Sequence, residues 1–125
     1  MSDDLAVLEA YVTADRAGLR ADPARLGHVK YLFVTALEGC IDAAHHVCAS
    51  QGWGPPETNA AAMSVLASHG ALPEDVAVAM ADAARFRNVL VHGYATVDDD
   101  LVVSHLDHLG DITRFVASLA NLADE

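Results

Sequence analysis

The sequence predicts an all-α protein, an antiparallel bundle of four main helices plus one short helix, and three observations carry that prediction. Apolar residues make up 53% of the chain, many of them alanine, while aromatic residues supply only 6% and there are four prolines. Alanine is the strongest helix former, whereas strands draw on the β-branched and aromatic residues that are in a minority here. Apolar positions then recur at helical spacing through most of the chain, and capping residues stand where each periodic stretch begins. With 125 residues the chain reads as one domain, residues 1–125, with enough surface to bury a real core.

The elements follow in order. Leu5, Leu8, Val12 and Leu19 define a first amphipathic helix from about Leu5 to Leu19. Asp22 followed by Pro23 is a cap and a proline at the first helical position, opening a long helix to about Ser50. Its inward stripe runs through Leu26, Val29, Leu32 or Phe33, Ala36 or Leu37, Ile41, Ala44 and Cys48. Gly52, Gly54, Pro55 and Pro56 end it in an irregular loop, where Trp53 reads as an anchor on the bundle or, less directly, as a surface for stacking a base. Thr58 or Asn59 caps a short third helix that His69 and Gly70 stop, and Pro73, Glu74 and Asp75 open a fourth. Asp98, Asp99 and Asp100 cap a fifth helix, from about Leu101 to Leu119.

Charge and cysteines narrow the function. Eighteen acidic against seven basic residues give a formal net charge of −11, which excludes a basic surface for duplex DNA and confines any contact with RNA to a local site. Cys40 and Cys48 stand about 12 Å apart along one helix, too far for a disulfide between them. Free cysteines, no signal segment and no membrane-length apolar run together place the expected protein in the cytoplasm, away from membranes.

The stretch "RNVLVHGY", Arg87 to Tyr94, loads the end of the fourth helix with polar groups. With Phe86 as the centre of the inward face, Ala79, Ala83, Val89, Leu90 and Gly93 fall near the same direction. Arg87, Asn88 and His92 then lie about 100°, 200° and 240° round and share the outward face. On spacing alone these residues equally describe a solvated helix face. Their chemistry adds more: histidine exchanges protons near neutral pH, and arginine offers a permanent planar cation to phosphate oxygens. With an orienting amide, the set suffices for metal-free cleavage of RNA through the ribose 2′-hydroxyl. Arg85, within about 20° of His92 on the same wheel, either helps hold a phosphate or pairs with Asp82.

Other polar groups weigh against a metal. Glu38, Asp42, His45, His105 and His108 form one-face pairs, but the paired Glu and Glu-x-x-His pattern of di-metal bundles is absent. The sequence therefore calls for no metal and no cofactor, with His45 or His46 beside the core and Glu38 and Asp42 making polar contacts.

"RNVLVHGY" resembles the RxxxxHxY signature of the HEPN superfamily, and within it the HepT toxins. The resemblance extends from about Tyr31 to about Leu119, through "YLFVTALEGCIDAAHHV", "LPEDVAVAMADAARFRNVLVH" and "VDDDLV". It implies an all-α homodimer whose paired signature helices form a composite ribonuclease cleft, in a toxin–antitoxin pair with a minimal nucleotidyltransferase, MNT. Arg87 and His92 would be the catalytic pair and Asn88 the polar helper. Tyr94 would be the tyrosine that the antitoxin modifies with AMP, although its position alone also suits an aromatic packing at a helix end. Two other classes stay open beside the nuclease: a binding or regulatory HEPN module that engages a nucleotidyltransferase without cutting RNA, and a purely structural dimer in which Arg87, Asn88 and His92 form an interface network.

Overall fold

The computed structural model describes residues 2–12, 18–19, 21–93 and 98–123, and among these every regular element is helical. In chain order they are α1 (Ser2–Val12), α2 (Pro23–Ser50), α3 (Asn59–Ser68), α4 (Glu74–His92), α5 (Asp99–His105) and α6 (Leu109–Ala123). A 3₁₀ turn, Leu106–His108, joins the last two. The all-α bundle of the sequence reading is thus the architecture found. Residues 13–17, in the middle of the expected first helix to Leu19, lie outside the described residues.

The helix ends follow local chemistry. The Arg25 backbone N–H donates to Asp22 Oδ1 at 3.2 Å, and the Ala61 N–H donates to Thr58 Oγ1 at 2.9 Å. Asp98 Oδ1 likewise accepts from the Asp100 N–H at 2.9 Å. Each side chain satisfies a backbone donor that the first helical turn leaves without an intrahelical partner. α4 differs, since Pro73 precedes it without a side-chain cap and the acidic Glu74 and Asp75 instead meet the positive end of its dipole. α2 and α3 close alike: Gly52 and Gly70 take φ of +72° and +76°. Behind them Trp53 N donates to Cys48 O at 2.9 Å and Ala71 N to Leu66 O at 2.8 Å, the six-to-one bond of a Schellman end.

The expected fifth helix is divided. Val103, Leu106, Leu109, Ile112 and Phe115 are all buried, and each follows the last by three residues. An α-helix would rotate such a series steadily off the core, whereas the tighter 3₁₀ winding eclipses positions three apart and keeps it aligned.

The buried side chains form one contiguous cluster, with Leu8, Leu19, Val29, Phe33, Leu37, Met63, Leu66, Met80, Leu90, Leu106 and Phe115 all essentially inaccessible to solvent. Trp53 packs on this core as anticipated and stacks on His69, with centroids 4.2 Å apart and planes 2° apart. Polar links tie the periphery: Tyr11 Oη to His28 Nδ1 at 2.8 Å, His45 Nε2 to Asn59 Oδ1 at 3.0 Å, and Lys30 Nζ to Asp99 at 3.4 Å. Among the described residues, no helix is long and apolar enough to cross a membrane.

Candidate functional site at the end of α4

α3 and α4 form an antiparallel hairpin of unequal arms, and this inequality makes the site. α3 has 10 residues and α4 has 19, so the shorter helix covers only the first half of the longer. Ala77, Ala81, Ala84, Asn88 and Val91 run along one stripe of α4 at helical spacing. The first three are buried, Asn88 is half-buried and Val91 is 44% exposed. The flank that α3 occupies is vacated for the last two turns, where Arg87, Asn88 and His92 stand.

Here the helical-wheel expectation needs correction. Arg87 does not face outward with His92. It turns into the groove between α4 and α2, where its Nη2 donates to Glu38 Oε1 at 2.7 Å and its Nη1 to Asn88 Oδ1 at 3.2 Å. Its side chain is only 22% exposed, and its Nε is buried without a hydrogen-bond partner. Asn88 is half-buried, as the middle member of this chain of bonds. His92, the last residue of α4, is exposed as expected. Val89, expected in the core, is 46% exposed, and Phe86 and Leu90 alone carry the core contact of this segment. The expected face was wrong because the neighbours of α4 change along its length, so no single inward direction describes it.

Glu38 is the participant that the sequence left unassigned. A polar contact was anticipated for it, but its partner lies 49 residues away, and only the crossing of α2 and α4 brings the two together. Asp42, one turn further along α2, is exposed. His45 is half-buried and bonded to Asn59, and His46 is exposed.

Arg85 is exposed on the outer side of α4, and no ion pair joins it to Asp82 among the described residues. It borders a pocket of about 280 Å³ floored by Phe33, Leu37, Met80 and Ile112 and edged by His105. Arg87, Asn88 and His92 do not line this pocket. His105 stacks on Phe86, and its partial burial penalises the charged imidazolium and lowers its pKa, against an opposing pull from Asp82. No group of three or more His, Cys, Asp or Glu among the described residues is placed to hold a metal ion. Tyr94 lies outside the described residues.

The end of α4 thus carries an anchored guanidinium in the α2–α4 groove and, five residues on, an exposed imidazole. A fixed cation beside a proton carrier is a combination suited to phosphate chemistry.

The chain is 29% identical over 80 residues to the mRNA nuclease HepT of Shewanella oneidensis, a match that takes in 63% of this chain and 60% of that protein's length. Its fold is similar to that of a tri-AMPylated Shewanella oneidensis HEPN toxin in complex with MNT antitoxin. The TM-score is 0.82 at 22% identity, over 95% of both chains. It is also similar to a toxin–antitoxin chain crystallised with AMP-PNP, with a TM-score of 0.79 at 22% identity over 93% of this chain and 94% of that one. The model of the HepT-like ribonuclease family matches residues 1–119, Arg87, Asn88 and His92 included, and the chain belongs to that family.

Proposed function

We propose that this chain is the toxin of a toxin–antitoxin pair and acts as a metal-independent endoribonuclease on RNA, tRNA or mRNA being the candidate substrates, through Arg87, Asn88 and His92. The observation that carries the reading is the state of the signature pair: the arginine is held in place by two acceptors, and the histidine stands exposed at the end of the same helix. Membership of the HepT-like family and the likeness to a named mRNA nuclease support it.

In the reaction the ribose 2′-oxygen bonds to the adjacent phosphorus and the bond from phosphorus to the 5′-oxygen breaks, leaving a 2′,3′-cyclic phosphate and a 5′-hydroxyl. One proton leaves the 2′-hydroxyl and one reaches the 5′-oxygen. His92 is the group available for proton transfer, and Arg87 stabilises the extra negative charge on the phosphoryl oxygens in the transition state. DNA, lacking the 2′-hydroxyl, is not cut. Arg85, on the outer side of α4 with His92, adds a cation along the approach.

Val89 and Val91 remain exposed on either side of this segment, so a second copy of the chain can cover them and complete a composite cleft as a homodimer. The partner protein is a nucleotidyltransferase antitoxin of the MNT type, which neutralises the toxin by covering the cleft or by adding AMP to Tyr94. The net charge of −11, together with neutralisation of Arg87 by Glu38, favours one other reading, a regulatory HEPN module that binds the nucleotidyltransferase without cutting RNA.

The test is incubation of the purified, unmodified chain with cellular RNA in EDTA, beside the His92→Ala variant. Cleavage by the native chain alone, yielding 2′,3′-cyclic phosphate ends, is the expected result. Intact RNA in both samples, with antitoxin binding retained, selects the regulatory module.

A further inference from the structure

Arg87 is held from two directions. Asn88 lies next to it on α4 and can restrain the guanidinium only locally, whereas Glu38 belongs to α2 and reaches across the groove at 2.7 Å. A guanidinium bonded at one terminal nitrogen can pivot about that bond; bonded at both, its plane is set. Each terminal nitrogen carries two hydrogens, so one on each remains to be offered to a phosphate. Nothing else bonds the inner nitrogen, Nε, which is buried, and the orientation of the group therefore rests on these two acceptors.

Resting on the ribonuclease reading above, we propose that Glu38 is the positioning residue of the site: its carboxylate fixes the Arg87 guanidinium in the α2–α4 groove and aims the free edge of the fork at the scissile phosphate. The anchor is geometric. Its charge opposes that of Arg87, so Glu38 lowers ground-state attraction for RNA while it improves alignment in the transition state. Misplacing an aligned group costs on the order of 100-fold in rate, and that loss falls on turnover. A bond that sets geometry in this way separates kcat from KM, which a residue serving stability alone does not.

The experiment compares the native chain with Glu38→Ala and Glu38→Gln in steady-state cleavage of an RNA oligonucleotide, and records the arginine side-chain N–H resonances of all three by NMR. The expected result is a fall in kcat on the order of 100-fold in Glu38→Ala with KM unchanged or lowered. In Glu38→Gln, which keeps an acceptor oxygen, most of kcat returns. The Arg87 Nε–H should exchange slowly with water in the native and Gln forms and rapidly in the Ala form. Equal kcat in Glu38→Ala and Glu38→Gln, or an Arg87 resonance equally protected in all three, overturns the proposal. A native chain that cuts no RNA overturns the ribonuclease reading instead, and the exchange rates then decide by themselves whether Glu38 holds Arg87.

Discussion

His105 lies flat against Phe86, with ring centroids 3.8 Å apart and planes 5° apart, so a titratable ring from α5 packs directly on the residue that precedes Arg87. Phe33 meets the Phe86 ring edge-on at 5.4 Å and the His105 ring at 6.3 Å. The stack couples pH to the packing of the signature helix. Partial burial lowers the His105 pKa in the folded chain, so the unfolded chain takes up the proton first as pH falls. Stability should hold above the unfolded histidine value of about 6.5 and decline as pH drops from there toward the lower folded value. Melting curves between pH 7.5 and 5 should show this decline in the native chain and a shallower one in His105→Phe. Equal slopes would remove His105 from the account.

Arg87 and His92 should separate in their effects on stability. His92 is exposed, so His92→Ala should abolish cleavage with a stability change of roughly 0.5 kcal/mol or less. Arg87 is mostly covered and paired, and Arg87→Ala removes that pair together with the packing of the side-chain stem. Discounted for the exposure of Glu38, the loss should be about 1 kcal/mol, which lowers the melting temperature by roughly 3–5 °C. Thermal unfolding of both variants beside an RNA cleavage assay checks the split. A dimer that falls apart in both would favour an interface network over a catalytic pair.

The ends of the helices were legible in the sequence because capping is local: Asp22, Thr58 and Asp98 each bond a backbone N–H two or three residues on. The core stripe of α2 was legible for the same reason, since a period of 3.6 residues is written along the chain. What failed was the rotation of α4 beyond Ala84. There burial depends on where α3 begins, which is a property of two helices and not of one. The Glu38–Arg87 bond was hidden more deeply, because 49 residues separate the partners and neither carries a local signal of the other. The signature pointed to Arg87, Asn88 and His92 by resemblance, and the structure adds that the first two form one bonded unit.

Tyr94 should behave as a modification target and not as part of the chemistry. Tyr94→Phe should keep ribonuclease activity and lose AMP transfer when incubated with the nucleotidyltransferase and ATP, followed by intact mass spectrometry. Loss of RNA cleavage in that variant, with no antitoxin present, would assign the hydroxyl to the site itself.

Both thiols should be inert in the folded chain. Cys40 is fully buried, and desolvation pushes its pKa up to about 12, while burial also raises that of Cys48. Only the thiolate attacks a disulfide reagent. An aromatic disulfide reagent should therefore label neither cysteine at pH 8 until denaturant is added, and then both. Rapid labelling of one thiol in the native chain would mark local opening of α2.

Two glycine-to-alanine changes should move stability in opposite directions. Gly70 holds φ +76° at the end of α3, and although a Cβ there would meet nothing within 4 Å, the left-handed backbone itself is strained for alanine. Gly70→Ala should cost about 1–2 kcal/mol. Gly110 also has open space around an added Cβ, but it sits inside α6. There alanine relieves the entropic penalty of glycine, so Gly110→Ala should stabilise by up to about 1 kcal/mol. Urea denaturation of the two variants reads both signs at once. A destabilised Gly110→Ala would mean that a second copy of the chain packs closely over the start of α6, where alanine would meet it.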